Sequence, residues 1–329
     1  MYLQKSKPFL ALIPHLTCFF RSAEVKIIRS PGFGIRAFQG GYAIILPMTE
    51  TLPLTTWRLI RSDPLPGAMN MAIDSAILAA VENGKSLPTL RLYRWDPPCL
   101  SLGYSQAYSD VDTDQLTAKR WDVVRRPTGG RAILHTDELT YAVIGPKSDP
   151  RLAGSLMDSY QHISQALFEA LSQLGLPVEV HTGKNPEAHH QPVCFENPSN
   201  FEITVDGKKI IGSAQARKKT SLLQHGSLPL IGDLTRVTKA LQYPTDTERR
   251  QAGEVLLQKA VTVYDVLGVE ISWDTAARIV ADSFSRVLKL NLVEGELSPE
   301  EMDQALELES DQYSHPDWTE HSPPKRAKQ

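Results

Sequence analysis

Cysteine is scarce in this chain: Cys18, Cys99 and Cys194 are the three among 329 residues. Three scattered thiols cannot build a disulfide framework. Their odd number fits a reducing, cytoplasmic setting in which a thiol is kept for packing or for chemistry. An excess of one charge is lacking too. With 35 basic against 38 acidic residues, there is no basic field of the kind that holds a phosphate backbone, so nucleic acid is excluded as the main partner. Long apolar runs are missing as well. The longest, Pro8 to Phe20, is broken by Pro14 and His15 and falls short of the ~20 residues needed to span a bilayer, so no membrane association is expected. No G-x-x-x-x-G-K-[ST] occurs, which excludes a P-loop nucleotide site.

What is present points to a folded enzyme-sized chain. A hydrophobic share of 41% with a net charge of −3 supplies enough apolar surface for a core. Lys5 and Lys7 precede the apolar run as in a signal peptide, but no small-x-small cleavage site follows. Arg21, Lys26, Arg29 and Arg36 then continue a basic stretch in which Glu24 is the only carboxylate before Glu50. Residues 1–47 are expected to be a disordered leader, or sequence ahead of the true start, with domain sequence opening at Met48. Gly32-Phe33-Gly34-Ile35-Arg36-Ala37 fits a dinucleotide fingerprint on paper. It lacks the strand-to-helix context and the acidic residue about 20 positions on, and is set aside.

After Met48 the periodicities become regular. Residues 69, 72, 73, 76, 77, 80 and 81 form an apolar helical stripe ended by Asn83-Gly84. Leu156, Tyr160, Ile163, Leu167, Leu171 and Leu174 form a second, closed by Gly175 and Pro177. Trp57 to Ile60, Thr89 to Trp95, Leu100 to Tyr104, Trp121 to Arg126, Leu139 to Ile144 and Val178 to His181 read as strands. Phe201 to Val205 alternates, Asp206-Gly207 is a hairpin signal, and the chain is expected to return as one strand from Lys208 to Arg217, with Leu222 to Leu230 completing a meander. Val255 to Leu267 and Trp273 to Leu288 read as helices. Glu294 to Glu320 carries ten carboxylates and no Lys or Arg, the pattern of a solvated helix face or loose tail. Strands and helices alternate irregularly, which predicts an α+β fold with a mixed β-sheet flanked by helices.

Three constellations could carry chemistry. His181, His189, His190 and Cys194 share a polar loop, Thr182 to Pro198, but their spacing matches no common zinc site. A lone cysteine in such a loop can instead be a nucleophile, provided a nearby cation stabilises its thiolate. Lys208 and Lys209 open the strand after the hairpin and fold back along the strand that follows Cys194. Alternation buries one of the two and does not say which. Arg125-Arg126-Pro127-Thr128-Gly129-Gly130-Arg131 joins two arginines to a Gly-Gly turn whose N–H groups can approach a ligand's anionic or carbonyl oxygens.

Arg125 to His135 (RRPTGGRAILH) with Glu138-Leu139-Thr140-Tyr141 resembles the signature of the lipoate–protein ligase, octanoyltransferase and biotin ligase superfamily. Arg91 to Gln106 resembles its early strand pair, Lys208 to Leu228 (KKIIGSAQARKKTSLLQHGSL) its acyl-binding sheet, and Tyr313-Ser314 with Trp318 its C-terminal end. The resemblance runs from about residue 54 to 320. It implies a ligase-like catalytic domain over 48–293 followed by an acidic helix and tail over 294–329. Val193-Cys194-Phe195-Glu196 with Pro198-Ser199 is similar to the nucleophile loop of the ligase-like octanoyltransferases. The lysine of K-I-x-G-S-A-Q then corresponds to Lys209.

The implied reaction takes octanoyl from octanoyl-acyl carrier protein onto Cys194. It then passes the group to a lysine of a lipoyl domain or of the glycine-cleavage H protein, with no cofactor and no ATP. Lys209 would lower the thiol pKa and, with backbone N–H groups, stabilise the oxyanion. Arg126, Gly129, Gly130, Arg131, Gly212, Ser213 and Gly226 would form the acyl slot, with His135 and His225 as supporting polar groups. Two departures separate the chain from ATP-dependent ligases: Arg131 stands where they carry a third glycine, and little length remains for their accessory C-terminal domain. Thr136 replaces the aspartate that often follows the histidine. The alternatives are an amidotransferase between lipoyl domains, an ATP-dependent ligase, and a non-catalytic acyl-binding protein.

Overall fold

The computed structural model describes residues 26–30, 33–37, 43–44, 52–181 and 202–321. Three short strands come first, β1 (Lys26–Ser30), β2 (Phe33–Ala37) and β3 (Ala43–Ile44), in an antiparallel ladder. Phe33–Ala37 is therefore strand, and no helix opens after Gly34, as the dinucleotide fingerprint would require. The other positions up to Thr51, including Cys18, lie outside the described residues.

The elements that build the site follow in the order β4 (Thr55–Arg61), α1 (Gly67–Glu82), β5 (Thr89–Tyr93), β6 (Cys99–Leu102), α2 (Thr113–Lys119), β7 (Asp122–Arg125), β8 (Ile133–His135), β9 (Glu138–Pro146) and α3 (Leu156–Gln173). After these come β10 (Glu179–His181), β11 (Glu202–Val205), β12 (Lys208–Lys209), β13 (Gly212–Arg217) and β14 (Ser221–Pro229). The chain then passes through α4 (Arg236–Lys239), α5 (Asp246–Lys259), α6 (Val263–Leu267), α7 (Trp273–Val287), β15 (Leu290–Glu294), α8 (Pro299–Leu308) and α9 (Pro316–Glu320).

The central sheet has the order β13-β14-β9-β5-β4-β15, antiparallel on one side and parallel where β4 joins β5 and β15. It is mixed and flanked by helices on both faces, an α+β architecture. Strand alternation divides its side chains between two cores. Trp57, Leu59, Leu90, Leu92, Leu139, Tyr141 and Val143 pack against α3 and α7. Ile60, Tyr93, Ala142, Ile144 and Leu223 face α1 and α8. A small sheet, β7-β6-β8, stands against the second core, and its outer face is covered by α2, α4 and α5.

The helices begin where the sequence provides caps. Ser155 with Asp158, Thr262 with Asp265 and Ser298 with Glu301 form reciprocal capping boxes at α3, α6 and α8, each satisfying two otherwise orphaned N–H groups. Thr245 caps α5. These caps explain one departure from the periodicity. The stretch expected as a helix from Val255 to Leu267 is two helices, because α5 starts earlier and ends at an extended Ala260, after which Thr262 opens a new one. α2, capped by Asp112, was too short to register as a stripe.

The return strand also breaks. Asp206 and Gly207 both adopt positive φ, 49° and 74°, the two-residue turn that matches strand twist. β12 nevertheless pairs with β11 over just two residues, Lys208 with Val205 and Lys209 with Thr204. Ile210 and Ile211, both buried, interrupt the alternation and carry the chain from the small β10-β11-β12 sheet into the central one. β13 and β14 therefore form a hairpin at the edge of a different sheet rather than continuing one meander.

The acidic C-terminal segment is packed rather than loose. In α8, Glu301 is buried and accepts both guanidinium nitrogens of Arg58 at 2.6 and 2.7 Å. Ala305 is buried against α1, and after a π-helical turn (Glu309–Tyr313) the Tyr313 hydroxyl meets Ser75 at 2.6 Å. Ala305, Tyr313 and Trp318 lie in three separate elements among many carboxylates and form no helical stripe, so the local pattern reads as solvated. Among the described residues, no helix is long and apolar enough to cross a membrane.

Candidate active site

The edge hairpin β13–β14 and the small sheet face each other across an apolar cavity. Gly212, Ser213 and Ala214 line it from β13, and His225, Gly226 and Ser227 from β14. The small-sheet side contributes Ser101 from β6, Arg126, and Ile133 and His135 from β8; Met71 of α1 and Trp95 complete it. Gly226 has to be glycine. A Cβ there would lie 2.5 Å from the Gly212 carbonyl oxygen and 2.7 Å from both Ser213 Oγ and Tyr141 Cε1. The missing side chain lets β13 and the Tyr141 ring approach β14 closely.

Two hydrogen-bond relays wall this cavity. In the first, Arg126 Nη1 donates to Ser101 Oγ at 3.1 Å, Ser101 meets His135 Nε2 at 2.8 Å, and His135 Nδ1 meets Glu138 Oε1 at 2.6 Å. The arginine can only donate, so Ser101 Oγ accepts from it. Glu138 Oε1 also accepts the Thr140 hydroxyl at 2.6 Å, which in turn accepts the Trp95 indole N–H at 2.8 Å. Trp95 stacks on the His135 ring at 3.9 Å with 7° between planes. Burial alone would lift the Glu138 carboxyl, but His135 and the Thr140 hydroxyl hold it below the ordinary carboxylate range.

The second relay runs from Thr128 Oγ1 to His225 Nε2 at 2.7 Å and from His225 Nδ1 to Asp74 Oδ2 at 3.2 Å. Burial pushes the His225 imidazole below its ordinary pKa, so the ring is neutral, with its proton on Nδ1 facing the carboxylate. Asp74 is fully buried. It also accepts Arg91 Nη1 at 2.8 Å and the Tyr93 hydroxyl at 3.0 Å. Desolvation would raise its pKa, but His225 and Arg91 keep it lowered.

The two arginines that read as a site for a ligand's oxygens are directed chiefly at the protein's own carbonyls. Arg126 donates to Ser101 O, Gly129 O and Arg131 O, which fastens both ends of the Gly-Gly turn to β6. Arg125, on the opposite face, donates to Gly103 O, Gln106 O and Thr319 O, while Trp318 Nε1 donates to Arg125 O at 2.8 Å. Gly130 (φ 97°) lies so close to Gly103 that a Cβ on Gly103 would be 1.9 Å from the Gly130 oxygen. The structure thus brings Arg126, His135, Gly212, Ser213, His225 and Gly226 to the cavity. Gly129 and Gly130 are exposed and Arg131 half-buried on the turn beside it.

Lys209 is the buried lysine of the pair and Lys208 is half-buried. Lys209 Nζ meets Glu202 Oε1 at 2.6 Å across the β11–β12 ladder. Cys194, with His189 and His190, lies outside the described residues, as does the side chain of His181. Cys99 is fully buried, and desolvation pushes its thiol well above the ordinary range, so it is a packing residue. Among the described residues no group of three His, Cys, Asp or Glu could hold a metal ion.

Sequence reasoning passed over Asp74, Glu138, Glu202, Ser101, Thr128 and Met71 as site residues. Asn70 and Asp74 did carry a signal: two polar residues four apart on the buried side of an otherwise apolar helix need a buried partner. That partner is Arg91.

The mixed sheet flanked by helices matches the fold of solved lipoate–protein ligases. A lipoate–protein ligase from Thermoplasma acidophilum, solved within a bipartite ligase and lipoyl-domain system, superposes with a TM-score of 0.70 and 25% identity, covering 83% of this chain and 100% of its own. Residues 66–285 match the lipoyl protein ligase A/B catalytic domain, and the chain belongs to that family. It is 39% identical to an octanoyltransferase LipM of Kyrpidia tusciae over 95% of that protein. A second octanoyltransferase LipM, from Carboxydothermus hydrogenoformans, is 37% identical over 98% of its length.

Proposed function

We propose that this octanoyltransferase of protein lipoylation works through a cysteine thioester, with octanoyl-acyl carrier protein as donor and a lipoyl domain or H protein as acceptor. The Cys194 thiolate attacks the donor's thioester carbonyl, the carrier thiolate departs and takes up a proton, and octanoyl remains on Cys194. The neutral amine of the acceptor lysine then attacks, the amide forms, and Cys194 leaves as thiolate while the amine proton passes to solvent. Thioester to amide is downhill, so the sequence needs no ATP. A cytoplasmic setting fits, since it keeps the thiol reduced.

The observation that carries this reading is the buried Lys209 that ends β12, immediately before the Ile210–Ile211 crossover to the cavity strand β13. Its ammonium, positioned by Glu202, supplies the positive charge that favours a thiolate and steadies the tetrahedral oxyanion. The octanoyl chain occupies the cavity between β13–β14 and the small sheet, beside the turn that Arg126 fastens.

The test uses octanoyl-acyl carrier protein without ATP and reads the intact mass. A hydroxylamine-labile octanoyl adduct is expected in the wild type and in Cys99→Ser, and none in Cys194→Ser. An adduct that persists in Cys194→Ser, or transfer that strictly requires ATP, contradicts the thioester reading.

A further inference from the structure

The walls of the cavity are not equally buried. Ile133, Ser213, Ala214 and Gly226 are half-exposed and mark the open side. Met71, Trp95, Ser101, His135 and His225 are buried, at 1% for Met71 and 0% for Ser101, and mark the closed end, where the cavity runs into the core beneath α1.

Most of that closed end cannot yield. Ser101 and His135 belong to the chain of hydrogen bonds that ends on Glu138, and His225 belongs to the one that ends on Asp74. Displacing any of them leaves a buried donor or acceptor unpaired. Trp95 is held twice, by its indole N–H on Thr140 and by its stack on His135. The Glu138–His135–Ser101 array has the distances of a carboxylate–histidine–serine triad, but its serine is fully buried at the blind end and accepts Arg126. It is a wall. Met71 is different. It is an unbranched thioether with three rotatable bonds and no polar atom that needs a strong hydrogen-bond partner, the kind of side chain that fills irregular space and gives way in it.

We propose that Met71 is the residue that sets the acyl-chain length accepted by this enzyme, with the two relays as the fixed walls on either side of it. This rests on the reading that the acyl chain lies in this cavity. An eight-carbon chain abuts the Met71 side chain. A longer chain must either push Met71 into the packed α1 core or break a relay. Since each further methylene that finds apolar room is worth roughly a factor of four, two methylenes accommodated or refused change relative rates by about tenfold or more.

The experiment measures transfer from hexanoyl-, octanoyl-, decanoyl- and dodecanoyl-acyl carrier protein to a lipoyl-domain lysine, as competing donors in one reaction. Product ratios are read by mass, so that the fraction of folded enzyme cancels. Met71→Ala is expected to raise the decanoyl-to-octanoyl ratio about tenfold, and Met71→Phe to raise the hexanoyl-to-octanoyl ratio by a similar factor. If one variant does not fold, the other still decides. Wild-type enzyme that transfers octanoyl normally while both variants keep the wild-type ratios overturns the assignment of Met71. Wild-type enzyme that transfers no chain from acyl carrier protein at all overturns the underlying reading instead.

Discussion

Gly226 shows how a single side chain, or its absence, shapes the site. The atoms a new Cβ would strike include the Gly212 carbonyl and the Tyr141 ring, and Tyr141 is itself tied to Ser213 Oγ at 2.7 Å, so none can move aside cheaply. Gly226→Ala is expected to destabilise the fold by about 1–3 kcal/mol and to reduce octanoyl transfer further than stability alone explains, measured by urea unfolding beside activity at a temperature where the variant is folded. At Asp74 the penalty is electrostatic. Asp74→Asn leaves the fully buried Arg91 without its counter-charge, and about 3–5 kcal/mol of stability should be lost, read in the same assay. At this scale the sequence was legible where a motif named the residue, as with His135, Gly212, Ser213 and His225. It was not legible where the role depends on a distant partner. Alternation could not choose between Lys208 and Lys209, and nothing local announced that Glu202 would meet Lys209 across a ladder.

The C-terminal elements have a consequence for the turn that borders the cavity. Arg125 sits immediately before that turn, and its guanidinium relies on the carbonyls of Trp318 and Thr319 as well as on those of Gly103 and Gln106. Trp318 packs edge-on against both Tyr104 and Tyr313. Trp318→Ala is expected to cost about 2–3 kcal/mol and to lower transfer activity in the part of the enzyme that remains folded. A variant with lost stability but full specific activity would show that α9 does not support the turn. The long periodic helices α1, α3 and α7 were readable because their stripes persist over several turns. The crossing between β12 and β13, the division of α5 from α6 and the packing of α8 were not, since each is decided by which distant surface receives the chain rather than by local preference.

Across the whole molecule, the buried carboxylates give a direction to pH dependence. Asp74, Glu138 and Glu301 are desolvated yet keep lowered pKa values through His225 and Arg91, through His135, and through Arg58 respectively. A lowered carboxylate contributes stability that is present above its unfolded value, near 4, and lost as pH falls through the folded value. The lowered His225 acts in the same direction, because the unfolded chain takes up a proton near pH 6.5 that the folded state resists. Urea midpoints should therefore begin to fall just below about pH 6.5 and drop steeply below about 4. His225→Gln should remove the first part and keep the second, whereas a flat profile down to pH 4 in the wild type would contradict the burial of a neutral His225. The fold class was readable from irregular alternation alone, because a mixed sheet leaves that mark in the order of elements. The boundary between its two cores was not, since it depends on register. The central claim, an acyl-enzyme on the path, is tested most directly by single turnover. Octanoyl-enzyme freed of donor and nucleotide is mixed with a lipoyl domain. The account predicts that the octanoyl group moves to the acceptor lysine in one-to-one yield as the enzyme adduct disappears; an adduct that stays on the enzyme while transfer proceeds only with fresh donor or ATP would contradict it.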